Sequence, residues 1–302
     1  MGGSNKLGAL IERANNWALR RVNRGRPPKE LRANLRFSEK RPSLKLMGLA
    51  KACQLLLEND ELVEARQVAE EISIARRSQF TRHSAAVAAL RAAAATYERC
   101  GELEAAIPLR EELLVLERAK HGPGDPRTLS AMEFLAADLR NVGDASRAIE
   151  LLKDAIGRWR VLHGRSTDVA RAEVALGITL FSASDYAEAR AVFEHVVESD
   201  PDRRSARGWL ASTLAKTGDL DDALKLREET LSATERMYGS EDRRTLHDME
   251  QVAVTLWSLQ QRERARMVLE RALSARERLF GDEDRETQDC RKRLQSLLDE
   301  LS

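Results

Sequence analysis

Apolar side chains recur along most of this chain at three- and four-residue spacing, and short polar turns interrupt the pattern at regular intervals. That spacing places one face of a helix toward a core. Six of the interruptions superimpose, at Asp60, Gly101, Gly143, Ser184, Gly218 and Gln260, with offsets of 41, 42, 41, 34 and 42 residues. Five residues after each stands an alanine: Ala65, Ala106, Ala148, Ala189, Ala223 and Ala265. Seven before each the side chain is small: Cys53, Ala94, Ala136, Gly177, Ala211 and Ala253. Four before it comes Leu56, Tyr97, Leu139, Leu180, Leu214 or Leu256, and eight after it Val68, Leu109, Leu151, Val192, Leu226 or Val268. Each copy therefore reads as two amphipathic helices around a tight turn, with small residues where the helices approach. One such pair cannot bury its apolar face alone. Stacked copies can, so the pattern predicts an all-α repeat solenoid.

The loops between copies carry a second pattern. A ring followed by glycine recurs as His121-Gly122, His163-Gly164, Tyr238-Gly239 and Phe280-Gly281. Three of these continue as G-x-x-D-x-x-T, through Asp125 and Thr128, Asp242 and Thr245, and Asp284 and Thr287. Glycine stops a helix in the left-handed conformation without steric cost, and the threonine is expected to cap the next helix. Past Thr287, the spacing of Leu294, Leu297, Leu298 and Leu301 predicts one more helix, polar on its other face through Arg291, Lys292, Arg293, Asp299 and Glu300.

These features together resemble the tetratricopeptide repeat. The copy from Asp168 to Pro201 has that family's ordinary length and its closing Asp200-Pro201, and the longer copies are similar to the variety found in kinesin light chains and many bacterial proteins. The resemblance spans roughly residues 44–287. It implies a right-handed superhelical solenoid of about six helix-turn-helix repeats over 44–286, preceded by a basic helix and linker at 1–43 and closed by a capping helix at 287–302. It also implies that the positions ten, six and three before each turn line a concave groove for an extended peptide or partner helix. The expected groove residues, with near neighbours, are Arg91, Arg140, Arg171, Val174, Ile178, Phe181, Ser212, His247, Glu250, Val254 and Trp257. Phe181 and Trp257 would wall a floor of Gly208, Ser212 and Ala215, with Arg140 and Arg171 near enough for a carboxylate; the alternative is that both rings pack between repeats. Lys51, Arg91 and Asn141 do not form the two-carboxylate clamp of chaperone-binding members.

Charge adds a polarity that the average hides. The chain has 302 residues, 33% charged and 4% aromatic, with a formal net charge of +1. Residues 1–51 hold 13 Lys or Arg against 3 acids (13 − 3 = +10), and the remainder 37 against 46 (37 − 46 = −9). Within the head, Leu7, Leu10, Ile11, Ala14, Trp17, Ala18 and Val22 follow helical spacing, with Arg13, Arg20, Arg21 and Arg24 mostly off that stripe. Five roles fit it: a cap on the solenoid, a contact with anionic lipid through Trp17, a nucleic-acid contact, an organelle presequence, or a segment folded back on the acidic repeats. No secretory signal or transmembrane run is read, and Cys53, Cys100 and Cys290 suit a reducing compartment, so the expected location is cytoplasmic.

The search for chemistry returns little. His121 and His163 occupy the ring position filled later by Tyr238 and Phe280, while His83, His195 and His247 lack metal-binding spacing. No phosphate-binding loop, nucleophile elbow or supported Cys-His arrangement occurs. The expectation is a non-enzymatic scaffold or adaptor without cofactor, binding a protein or peptide partner. Its alternatives are a membrane- or nucleic-acid-associated module working through residues 6–41, or a regulatory subunit of a separate enzyme.

Overall fold

The computed structural model describes residues 42–75, 83–164 and 166–301. Among them are thirteen α-helices and no strand. In repeat order they are α1 (Pro42–Glu58) and α2 (Leu62–Ala75), α3 (His83–Arg99) and α4 (Leu103–His121), and α5 (Pro126–Asn141) and α6 (Ala145–His163). There follow α7 (Thr167–Ser182) and α8 (Tyr186–Ser199), α9 (Arg204–Thr217) and α10 (Leu220–Tyr238), α11 (Arg243–Ser258) and α12 (Arg262–Phe280), and last α13 (Arg285–Leu301). The described residues divide into two compact units, which part between Val169 and Ala170. In the first, α1 packs on α2 and α3, and each helix from α2 to α5 packs on its successor. In the second, α8 to α13 do the same.

The six turns share one geometry. All six turn residues have positive φ, including Asp60 at 60°, Ser184 at 64° and Gln260 at 59°. In each, the N–H of the following residue donates to the carbonyl four before the turn at 2.8–2.9 Å, as in Glu102 to Tyr97 and Asp219 to Leu214. This six-to-one bond satisfies a carbonyl that the helix end would otherwise leave open. It pins the register of every helix pair.

Packing follows from that register. The alanine five after each turn is fully buried in all six copies. Seven before the turn, repeat four needs glycine for a definite reason. A Cβ on Gly177 would lie 2.6 Å from the Phe193 ring. The second-helix position eight after the turn was expected to face the core, but Leu151, Val192, Leu226 and Val268 are only half buried. The deeper position is nine after the turn, occupied by Ala69, Arg110, Leu152, Phe193, Arg227 and Leu269, all at most 8% exposed. Two arginines at this position obscure it in the sequence.

The inter-repeat loops correct the capping assignment. The caps are Asp125 and Asp242, whose carboxylates accept from the Arg127 and Arg244 N–H groups at 2.8 and 2.9 Å. Thr128 and Thr245 lie inside the first turn, and their hydroxyls donate back to the Gly122 and Gly239 carbonyls at 2.8 and 2.7 Å. Asp242 is held at a pKa of about 2 by its bonds to Arg244. The rings before the glycines carry guanidinium groups, Arg244 over Tyr238 at 3.4 Å and Arg243 over Phe280 at 3.7 Å.

At the C-terminal end, α13 inserts the fully buried Thr287 and Cys290 and packs Leu294 on the core of α11 and α12. Burial pushes the Cys53 and Cys290 thiols up to about 11 and about 12, so neither is a reactive thiolate. No helix among the described residues is long and apolar enough to cross a membrane.

Candidate functional site

In most long repeats a side chain ten before the turn bridges to one sixteen after it, joining the first helix to the extended end of the second. In repeat two Arg91 reaches Glu117 at 3.3 Å. In repeat three the Trp159 indole donates to Glu133 at 2.9 Å. Repeat six reverses the charges of repeat two, with Arg276 on Glu250 at 2.6 Å. Repeat five has Gly208 and Thr234 at these positions. Neither can span the distance, and Thr234 turns instead to Asp248 at 2.8 Å.

A cavity of about 350 Å³ lies beside Gly208. From α9 it is lined by Arg204, Gly208, Trp209 and Ser212, from α10 by Arg227 and Thr230, and from α11 by His247, Asp248 and Gln251. This volume falls within the range of small-ligand pockets. Arg204 and Asp248 form a two-pronged ion pair at 2.6 and 2.9 Å that closes one wall. Trp209 anchors the other side, stacked on Phe193 and met edge-on by Phe181 at 5.3 Å between centroids. Burial and the Arg204 charge lower the pKa of His247, which keeps its imidazole neutral at neutral pH.

Arg227 is the unusual member. It is 8% exposed, and its protein partners are all neutral. Nη1 donates to the Gln251 carbonyl at 2.6 Å and the Thr255 hydroxyl at 2.5 Å, and Nη2 to the Ser212 hydroxyl at 3.2 Å. Burial lowers its pKa with no carboxylate to oppose the shift.

The other expected groove residues are distributed as follows. Ser212 and His247 line the cavity. Phe181 is half buried against Trp209 and Tyr186, and Trp257 packs on the core of α11 and α12. Val174 is buried, Ile178 is half buried, Arg171 is exposed on α7, and Val254 is exposed on α11. Glu250 is 3% exposed, its carboxylate held by Arg276 and by Arg293 at 2.6 Å. Arg91 and Arg140 belong to the first unit, where Arg140 is half buried and donates to the Asn141 side chain at 3.1 Å. Arg13, Arg20, Arg21 and Arg24 lie outside the described residues, as does the His163 side chain. Among the described residues no cluster of His, Cys, Asp or Glu is arranged to hold a metal.

Arg204, Trp209, Arg227 and Asp248 were not anticipated from sequence. The available signal was Arg227, a charge at a position that four other copies fill with apolar side chains.

The tetratricopeptide repeat family model matches residues 84–158, 128–202 and 202–278, more than half of the chain. The chain belongs to the tetratricopeptide repeat family, whose members in general are protein-interaction scaffolds. No curated protein matches it in sequence. Among solved structures it is similar to a Podosopora anserina putative kinesin light chain with nearly identical TPR-like repeats (19% identity, TM-score 0.58, covering 67% of this chain and 100% of that one). It is also similar to a tetratricopeptide repeat protein from Parabacteroides merdae (15%, TM-score 0.59, 97% and 99%). A third is the apo form of the quorum sensor NprR from B. thuringiensis (12%, TM-score 0.60, 98% and 80%). At these identities the likeness establishes the fold.

Proposed function

We propose that this protein is a non-enzymatic adaptor that binds a segment of a partner protein on the first-helix face of its second unit, with the cavity between α9, α10 and α11 as the anchoring point. The observation that carries this reading is the absent bridge of repeat five. Gly208 lines a recess beside Trp209 and Ser212, whereas repeats two, three and six carry the long side chains of Arg91, Glu133 and Glu250 at the matching position. A recess with an aromatic wall and a few fixed polar groups is the usual form of a binding hot spot. Gly208→Leu tests it. No atom lies within 4 Å of a Cβ at this position, so there is open space at the point where the larger side chain begins. It also replaces a helix-interior glycine, which raises stability by about 0.8–1 kcal/mol. The expected result is a more stable protein that captures partner peptides at least tenfold less well. Unchanged capture would remove the cavity from the account.

A further inference from the structure

The internal repeat shows what a buried arginine at the position nine after the turn ordinarily requires. In repeat two this residue is Arg110, 4% exposed. Its Nε–H bonds Asp138, five before the turn of the next repeat, and its Nη2 bonds Glu98, three before its own turn. Arg227 is the same residue three repeats later. The position equivalent to Asp138 is Thr255, and the position equivalent to Glu98 is Ala215. The cation is kept and both of its counter-charges are gone.

Leaving a guanidinium buried and unpaired costs several kcal/mol, and chains avoid it unless something supplies the charge. The donors left over indicate what that is. Arg227 uses both Nη1 hydrogens and one Nη2 hydrogen on neutral acceptors, leaving Nε–H and one Nη2–H without an acceptor in the chain. The Nε–H is not sealed inside the protein, and Arg227 is one of the residues that line the cavity. Nε–H and Nη2–H form one edge of the guanidinium, which matches the two oxygens of a carboxylate. Arg204 adds no further net charge, because Asp248 neutralises it, and the Asp248 carboxylate on the same wall disfavours a dianion.

Building on the proposed partner-binding face, we infer that the cavity is a receptor for a single carboxylate presented by a peptide segment, an Asp or Glu side chain docking on the Nε–Nη2 edge of Arg227 beside Trp209. The ligand supplies to Arg227 what Asp138 and Glu98 supply to Arg110.

The test uses the full chain, immobilised, and a random pool of N-acetylated, C-amidated octapeptides whose bound fraction is sequenced by mass spectrometry. The expected result is enrichment of Asp or Glu at one register position, lost at least tenfold in Arg227→Met. A second variant guards against misfolding of the first. Thr255→Asp returns the internal carboxylate, and it should abolish acidic enrichment while raising the melting temperature. Peptides bound without acidic preference would overturn the carboxylate assignment and leave the partner-binding face standing. Acidic enrichment that survives both substitutions would overturn it as well. Capture of no peptide, with Trp209 fluorescence responding to acetate or inorganic phosphate alone, would assign the site to a free anion and contradict the peptide source. Failure to capture any peptide or anion would sink both readings.

Discussion

Arg110 and Arg227 occupy one repeat position in two units of the same chain, and they differ in the charge that meets them. Arg110 is closed: two carboxylates meet it, one from its own repeat and one from the next. Arg227 is open: a carbonyl and two hydroxyls hold its orientation and leave its charge unanswered. The position five before the turn makes the contrast sharper. It is a buried threonine in repeats two, four, five and six, and repeat three departs from that threonine to place Asp138 against Arg110. Repeat six keeps threonine against Arg227. The arginine of repeat two thus comes with its carboxylate partners, and the arginine of repeat five has none in the chain.

The largest expected effect is on the closed site. Arg110→Met strands the buried Asp138 carboxylate and should cost about 3–5 kcal/mol, read as a fall in the urea midpoint. A loss under about 1 kcal/mol would mean that the pair is not buried in solution. Asp138→Thr should be milder. It recreates the repeat-six surroundings around Arg110, which retains Glu98, and losing one charge-assisted hydrogen bond costs about 1.5–3 kcal/mol. If Asp138→Thr were neutral, the contrast between the two arginines would lose its energetic basis.

A third copy of the same position sharpens the comparison without charge. Phe193 lies over Gly177 so closely that a Cβ there would meet the ring at 2.6 Å. Gly177→Ala should overpack the pair and cost about 1–3 kcal/mol. Adding Phe193→Leu should recover part of the loss, because the ring is the atom group in the way. No recovery in the double variant would place the clash elsewhere.

Much of this was legible in the sequence, for physical reasons. The six turns could be found because a left-handed residue that closes a helix favours glycine or a small polar side chain, and the alanine five residues later must fit a contact with no spare volume. The helix pairs then followed from spacing alone. The threonine of G-x-x-D-x-x-T was misread as the cap because aspartate and threonine both cap helices, and only the backbone shows which of them precedes the first turn. Of the expected groove residues, Ser212 on the stripe and His247 beside it line the cavity, whereas Glu250 is buried against Arg276, a partner that lies 26 residues away. The cavity was hidden for the same reason. Gly208 looks like a gap only once it is known that the residue sixteen after the turn should reach it, and that contact crosses two helices.

The most direct test of the account is the stability of Arg227→Met set beside that of Arg110→Met, by urea unfolding of the full chain. Methionine fills similar space without charge, and the Gln251 carbonyl retains the Thr255 hydroxyl as a donor at 3.1 Å. Replacing an unpaired buried cation by an apolar side chain removes a desolvation cost and strands no carboxylate, so Arg227→Met should unfold at or above the wild-type midpoint while Arg110→Met unfolds well below it. If both variants fall together by similar amounts, Arg227 is an ordinary structural arginine and the open site does not exist.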